Sequence, residues 1–398
     1  MEVMIQRPHA LNRVLKALRV HPVAALLGPR QCGKTTLAKM IVKREPSTYF
    51  DLENPVDVRR LSAPMRALEG LSGLVVIDEV QRQPALFELL RVLVDRPQNQ
   101  GRFLLLGSAS PRLMKDVSES LAGRIGFIDL SGFDLREVGS ENYDPLWNRG
   151  GFPRSFLTPD DSTSMIWRED FIRTFLERDI PQFGITIPAE TLRRFWSMIA
   201  HYHGQVWNAA EFARSLGTSE NTARRYLDIL AGAYMIRILP PWFENISKRQ
   251  VKAPKIYIRD SGILHTLLQL STLADVQGHP KLGASWEGFA LEQLLTLLEM
   301  RDTYFWATHS GAELDLLVMI GGQRHGFEFK YSDAPGHTRS MSVAIQDLTL
   351  EHLWVVYPGN QEYPLEEKIS VIPASSLPIL AEKVRKRTKT YRNQRPVN

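Results

Sequence analysis

The sequence predicts an α/β fold built on a parallel sheet with helices on both faces. Three observations carry this. A glycine-rich stretch, Gly28-Pro29-Arg30-Gln31-Cys32-Gly33-Lys34-Thr35-Thr36, lies between an apolar run over 23–27 and a helix-like segment over 37–43. A second run, Gly73-Leu74-Val75-Val76-Ile77, is apolar and ends in Asp78-Glu79. A short run that is apolar throughout is a strand buried on both faces, as in a parallel sheet covered by helices. Third, strand-like and helix-like runs alternate as far as about residue 131, the order of a parallel sheet with crossover helices.

The elements follow in order. A helix is expected over 10–18, after Arg7, leaning on the glycine-rich loop. A strand over 47–53 and a helix over 56–68 precede the acid-ended strand at 73–80. A helix over 84–94 leads to a further apolar strand, 102–110, with a polar end at Ser108. A helix over 113–121, then Ala122-Gly123-Arg124, leads to a last strand over 125–130. Residues 133–203 read as mostly helical, with long pieces over 162–180 and 188–202 and a turn at Phe183-Gly184.

The length of 398 residues suits two or three domains. With 43% hydrophobic and 23% charged residues, the composition is that of a soluble globular protein. No apolar run approaches the roughly 18 residues of a membrane span. The start lacks the apolar core and cleavage site of a signal peptide. A single cysteine excludes an intrachain disulfide and a cysteine-based zinc site. A cytoplasmic protein with no membrane partner is expected. The net charge of +5 belongs to the end of the chain. Lys383, Arg385, Lys386, Arg387, Lys389, Arg392 and Arg395 lie there without an acid, which leaves the rest slightly acidic. Such a tail suits either nucleic-acid phosphates or a solubilising end.

The chemistry starts at the loop. Strand, glycine loop and Lys-Thr at a helix start are the context of a phosphate-binding loop. Gly28 and Gly33 let the backbone turn tightly, so that loop N–H groups face an anion. Residues 28–36, Thr36 included, would cradle the nucleotide, with Lys34 on the β- and γ-phosphates and Thr35 on Mg²⁺. Cys32 suits either thiol control of binding or a tolerated small residue. Asp78 would stand beside the Mg²⁺, at the strand end where such sheets place ligands. Glu79 would orient and deprotonate the attacking water. Ser108 would hydrogen-bond the γ-phosphate or that water.

In this order, the phosphate loop, the Asp-Glu strand end, Gly107-Ser108 and Leu121-Ala122-Gly123-Arg124 resemble AAA+ type ATPases. More closely, the chain resembles the bacterial and archaeal ATPases whose C-terminal half is nuclease-like, the DUF4143 proteins. Gly150-Gly151-Phe152-Pro153, Arg178-Asp179-Ile180 and Lys255-Ile256-Tyr257-Ile258-Arg259-Asp260 fit that family too. The resemblance implies that Arg124 is an arginine finger serving a neighbouring subunit's ATP, which calls for a homo-oligomer, most simply a hexameric ring. A cation there would stabilise charge in phosphoryl transfer. Arg154 would be a lid arginine that senses the nucleotide. Residues 133–204 resemble the small helical lid of such an ATPase. His201 and His203 alternate about Tyr202, which puts them on different faces and speaks against metal ligation.

Two short amphipathic helices, 208–217 and 218–230, meet at Gly217 and resemble a helix-turn-helix, with wing strands near 235–239 and 255–258. Ser219, Asn221, Thr222, Arg224 and Arg225 open the second helix, where DNA contacts are made. The same fold could instead serve packing or subunit contact.

From residue 281 the pattern changes again. A helix over 285–300 precedes strands near 304–306, 311–318, 325–330 and 353–357. Alternation in Glu328-Phe329-Lys330 puts acid and lysine on one face. Asp315 can meet them from the neighbouring strand and Glu287 from the helix. Carboxylates suit Mg²⁺, with Asp315 and Glu328 as its ligands, and Lys330 could polarise a water. This constellation resembles the PD-(D/E)XK nuclease core, with Leu314 where a proline often precedes the first acid. Asp333, His337 and Arg339 follow in a loop that could touch substrate.

The expected organisation is an AAA+ P-loop ATPase core (1–132), a helical lid (133–204) and a winged helix-turn-helix (205–262). A restriction-endonuclease-like α/β domain (263–380) and a basic tail (381–398) complete it. The expected activity is hydrolysis of Mg-ATP by an oligomer acting on DNA, branched or repair intermediates included. Its C-terminal domain would either cut DNA or grip it without cutting. A nucleotide-gated signalling protein that never touches DNA is the competing class.

Overall fold

The computed structural model describes residues 5–97, 100–108, 119–182, 184–300 and 302–384. The helix expected over 113–121, the turn at Phe183 and most of the basic tail lie wholly or partly outside them. The chain divides into two compact units: Met1–Gly132 with Asp228–Met235, and Phe133–Leu227 with Ile236–Asn398. The segment expected as the ATPase lid is therefore grouped with the C-terminal half.

The first unit holds a five-stranded sheet: β1 (Val23–Gly28), β2 (Ser47–Asp51), β3 (Gly73–Asp78), β4 (Gly101–Ser108) and β5 (Ile125–Asp129). Its order is β2-β3-β4-β1-β5 and every neighbouring pair is parallel. Alternate residues feed two separate cores. Ala25, Leu27, Val75, Ile77, Phe103 and Leu105 face one side and pack with Phe87 and Leu90 of the helix Leu86–Val94. Ala24, Leu26, Val76, Leu104 and Leu106 face the other and pack with Val14, Leu37 and Ile41. Burying each such leucine or phenylalanine stabilises the fold by roughly 1.5–3 kcal/mol. The sheet is thus greasy on both faces, as its unbroken apolar runs require. The single helix expected over 56–68 is two, Pro55–Arg60 and Pro64–Leu68. Pro64 has no N–H to continue the first helix and suits the first turn of the next.

The second unit opens with helices. Tyr143–Arg149, Asp161–Thr174 and Ala189–His201 are the main ones. The expected 162–180 helix runs from Asp161 into a π-helical turn, Phe175–Asp179. Next come the helix Ala209–Leu216, the helix Glu220–Gly232, whose residues from Asp228 on group with the first unit, and a three-stranded sheet in the order β6-β8-β7. These strands are β6 (Gln205–Val206), β7 (Ile236–Leu239) and β8 (Lys255–Ile258). Asn208 caps the first helix, and Gly217, at φ 65°, ends it. These two helices and the small sheet occupy the segment expected as a winged helix-turn-helix.

The helix Leu282–Leu298 leads into a six-stranded sheet. It contains β9 (Thr303–Ala307), β10 (Glu313–Ile320), β11 (Gln323–Phe329), β12 (His352–Tyr357), β13 (Tyr363–Glu366) and β14 (Ile369–Pro373). Its order is β13-β14-β12-β11-β10-β9, so β13 and β14 extend the four strands expected. β10 and β11 form a hairpin closed by Gly321 (φ 60°) and Gly322 (φ 86°). Positive φ at both central residues is what a tight two-residue turn demands and glycine supplies. β10 also carries one extra residue against β9 between Leu314 and Leu317, the stretch that holds Asp315. A bulge of this kind re-aims a side chain.

Candidate functional site

In the first unit, the carboxyl ends of β1, β3 and β4 carry Gly28, Asp78 and Ser108. A Cβ on Gly28 would lie 2.1 Å from the Leu130 carbonyl oxygen, so only glycine lets the loop leave β1 here. Gln31 (φ 63°) and Gly33 (φ 97°) then turn the chain into the helix Lys34–Val42. From before the first helix, Arg7 braces the loop by donating to the carbonyls of Cys32 at 2.9 Å and Gly132 at 3.0 Å. Cys32 is buried, and its thiol lies 3.4 Å from the Leu130 carbonyl. That is the packing role, not a thiol open to solution. The Lys34 ammonium donates to the carbonyls of Gly28 at 3.0 Å and Pro29 at 2.7 Å, so it lies against the loop it serves.

Asp78 is the hinge of the site. One carboxylate oxygen accepts from the Thr35 hydroxyl at 2.8 Å and from the Tyr49 hydroxyl at 2.6 Å. Its other oxygen accepts from the Glu79 backbone N–H at 2.9 Å. The hydroxyl and carboxylate expected to hold Mg²⁺ therefore converge on one point. Hard oxygen donors in this arrangement fit that ion. Glu79 has φ 56°, a left-handed conformation that a non-glycine residue adopts only under constraint. Burial pushes its carboxyl up, opposed by the Arg30 and Lys34 charges; Arg30 lies 3.8 Å away. Gln81 bridges Glu79 to Ser108: its amide donates to the Glu79 carboxylate, and to the Ser108 hydroxyl at 3.0 Å. The Gln81 carbonyl oxygen is buried without a protein partner. Neither Tyr49 nor Gln81 stands out in the sequence. The Gln at two residues beyond Glu79 is its only signal.

Arg124 lies at the edge of this unit, paired with Asp95 through two bonds of 2.6 and 2.8 Å. The expected finger is therefore held on its own chain by an exposed ion pair, and exposed pairs open at little cost. Arg154 is exposed on the short helix Pro153–Phe156 of the second unit.

Asp260 accepts from the N–H groups of Gly151 at 2.8 Å and Ile263 at 2.9 Å. A Cβ on Gly150, at φ 77°, would fall 2.1 Å from that carboxylate. His203 is buried and accepts from Ile258 N–H at 2.9 Å through Nδ1, and burial pushes it down to about 3. In the winged helix, Ser219 caps the second helix, accepting from Thr222 N–H at 3.2 Å. Asn221, Arg224 and Arg225 are exposed. Arg224 lies 3.8 Å from Glu220.

The four acidic-cluster residues do come together. The β10–β11 register pairs Leu316 with Phe327, so Asp315 and Glu328 are the next residues on the two strands. Lys330 lies 2.6 Å from Glu328 and 3.7 Å from Asp315. Asp315 also accepts from Phe329 N–H at 3.0 Å. Glu287 reaches in from the helix Leu282–Leu298. Two further members come from β8. Lys255 lies 3.2 Å from Glu287 and 3.6 Å from Asp315, and is paired with Glu313 as well. Tyr257 donates to Glu287 at 2.6 Å. Burial first, and the Asp315 charge second, push Glu287 up to about 7 and Glu328 up to about 8. Burial pulls Lys330 down, but Asp315 and Glu328 outweigh it and hold the ammonium above its usual value. Asp315 and Glu328, expected as Mg²⁺ ligands, are met by ammonium groups instead. Among the described residues no three His, Cys, Asp or Glu are grouped to hold a metal ion. As arranged, this donor set does not fit a divalent cation.

A pocket of about 430 Å³ opens on the cluster, lined by Glu287, Lys330, Tyr331, Ser332 and Thr338 among others. Asp333, His337 and Arg339 are not among its lining residues. His337 hydrogen-bonds Ser342 at 2.6 Å.

A phosphate loop on a parallel sheet, with Thr35, Asp78, Glu79 and Ser108 at its carboxyl edge, defines a P-loop ATPase fold of the AAA type. Nucleotide binding, usually with Mg²⁺, is what that fold implies. Three family models match the chain: an AAA domain over 20–139, the domain of unknown function DUF8612 over 140–274, and DUF4143 over 282–377. Uncharacterized protein Rv2008c of Mycobacterium tuberculosis is 52% identical over 375 residues, covering 94% of this chain and 85% of its own. Uncharacterized protein Mb2031c of Mycobacterium bovis matches equally. The chain belongs to their family, that of AAA-domain proteins ending in a DUF4143 domain. Among solved structures, the Walker-type ATPase PABY2304 of Pyrococcus abyssi is similar at 16% identity and a TM-score of 0.48, over 67% of this chain and 96% of its own. The DNA clamp loader delta protein of Bacillus subtilis is similar at 13% identity and a TM-score of 0.27, over 56% of this chain and 87% of its own.

Proposed function

We propose that this protein hydrolyses Mg-ATP as a cytoplasmic homo-oligomer, a hexameric ring, and uses the cycle to act on DNA. The observation that carries the DNA reading is the exposed group Asn221, Arg224 and Arg225 at the start of the second helix of a winged helix-turn-helix. That is where such folds meet phosphates and base edges. The loop N–H groups and Lys34 would bind the phosphates. Thr35 and Asp78 would hold Mg²⁺, whose role is to neutralise charge on the phosphate oxygens. Glu79, aimed by its constrained backbone and steadied by Gln81, would take the proton from the attacking water. Arg124, once released from Asp95, would serve the neighbouring subunit. Among the described residues no helix is long and apolar enough to cross a membrane. In the C-terminal domain the paired acids favour gripping DNA or organising subunits over cutting it.

Fluorescence anisotropy with labelled duplex and branched DNA, titrated with salt, tests this. Replacing Arg224 and Arg225 by alanine should weaken binding across all sequences and reduce the salt slope by about 2. Negligible affinity at every salt concentration would favour the signalling alternative. Arg124→Ala protein should lose turnover, and mixing it with Glu79→Gln protein should restore part of it. No restoration in the mixture argues against an arginine acting between subunits. Light scattering with and without ATP reads the ring.

A further inference from the structure

One member of the acidic cluster does not belong to the nuclease-like core. Lys255 sits on β8, a strand of the winged-helix sheet that pairs with β6 on one side and β7 on the other. Its side chain is only 5% exposed. Glu287, Glu313 and Asp315 surround its ammonium, the first at 3.2 Å and the last at 3.6 Å. Tyr257, two residues along the strand, donates to the same Glu287 oxygen that Lys255 contacts. Strand alternation puts these two side chains on one face. A buried ammonium is tolerated only where carboxylates compensate it, and buried carboxylates require a cation in turn.

Each carboxylate of the cluster faces an ammonium group. One Asp315 oxygen faces Lys255, while the other accepts from Phe329 N–H and faces Lys330. One Glu287 oxygen serves both Tyr257 and Lys255. One Glu328 oxygen holds Lys330, and the other is buried without a partner. A divalent cation, which takes several hard oxygen donors, would have to enter beside these ammonium groups or displace one of them.

We propose that Lys255 is the resident cation of this cluster, supplying the charge a divalent metal would otherwise supply and keeping the site metal-free. This rests on reading Glu287, Asp315, Glu328 and Lys330 as a nuclease-like constellation. Pairing on both edges anchors the backbone of β8. A metal entering the cluster would have to displace a buried ammonium that three carboxylates hold.

Calorimetric titration of the full chain with Mn²⁺, without nucleotide or DNA, tests the proposal. The heat of Mn²⁺ binding is read the same way whether or not the chain binds DNA. Up to millimolar Mn²⁺ the wild type should show no saturable binding that Asp315→Asn removes, and Lys255→Arg should behave the same. Lys255→Met keeps the apolar stem and removes the charge. It should gain a single site at least tenfold tighter than any binding by the wild type, and Asp315→Asn in the same chain should abolish it. Saturable binding to the wild type that Asp315→Asn removes overturns the proposal. So does a folded Lys255→Met protein, checked by circular dichroism, that gains nothing. Should Lys255→Met not fold, the wild type and Lys255→Arg decide: no binding, or only binding that Asp315→Asn leaves unchanged, supports the proposal, and binding lost with Asp315→Asn sinks it.

Discussion

The nucleotide site and the acidic cluster both set carboxylates at the ends or bends of strands, but they balance them differently. At Asp78 the neighbours are hydroxyls and a backbone N–H, from Thr35, Tyr49 and Glu79. These are neutral groups that hold a carboxylate in place and leave its charge for an incoming cation. At Asp315 the neighbours include two ammonium groups, Lys255 and Lys330. There the charge is already answered from within the chain. The residue types match, and what separates a loadable site from a self-neutralised one is the identity of the surrounding donors.

Substitutions can break that contrast. Lys34→Ala should abolish ATP binding in a calorimeter. Glu79→Gln should still bind but lose turnover by about 10²–10⁴-fold, the usual worth of a positioned acid or base. Because burial raises the Glu79 carboxyl, the wild-type rate should climb with pH as that group deprotonates, and the rise should vanish in Glu79→Gln. If Glu79→Gln turns over normally, another group is the base.

A paired measurement sharpens the comparison further. Asp315→Asn should lower thermal stability by about 3 kcal/mol, since it removes the carboxylate that both buried-site ammonium groups share. Asp78→Asn should abolish turnover while moving the melting temperature little. The opposite assignment of the two effects would dissolve the distinction.

Acid should unfold the second unit early. His203 and His265 are buried neutral and pushed down to about 3 from 6.5. Unfolded copies take up protons below pH 6.5 while the folded ones do not, so stability is intact above that value and falls as pH drops towards 3. At pH 5 the loss should be on the order of 2 kcal/mol for each histidine. Replacing either by a neutral isostere such as glutamine should flatten the melting temperature between pH 7 and 5. The smallest effect is expected of Tyr49→Phe. Losing one hydrogen bond to Asp78, worth roughly 1 kcal/mol, should weaken Mg²⁺-dependent turnover a few-fold in a metal titration.

The sequence carries the nucleotide site well because its residues are local. Loop, helix start and strand ends are short runs whose spacing states the geometry, from Gly28 to Thr36 and at Asp78-Glu79. The cluster is half legible. Glu328 and Lys330 share a face by alternation, and Asp315 follows from the hairpin. Lys255 does not follow, because it arrives from a strand of another sheet and an apolar-flanked lysine looks like any other. Tyr49 and Gln81 are missed for the same reason, being contacts made by side-chain direction and not by pattern. β13 and β14 escape notice because β13 is short, half polar and contains Pro364 at a sheet edge. Pro64, by contrast, marks a helix break that could have been read.

The extra residue in β10 between Leu314 and Leu317 has one more consequence. Side chains on a strand alternate between faces, so the acid's direction depends on a count and not only on chemistry. Removing Leu316 would let β10 zip evenly against β9 and would leave every acid and lysine in the chain. Yet it would turn Asp315 across the sheet relative to all that follows it, so the cluster can be dismantled by arithmetic alone.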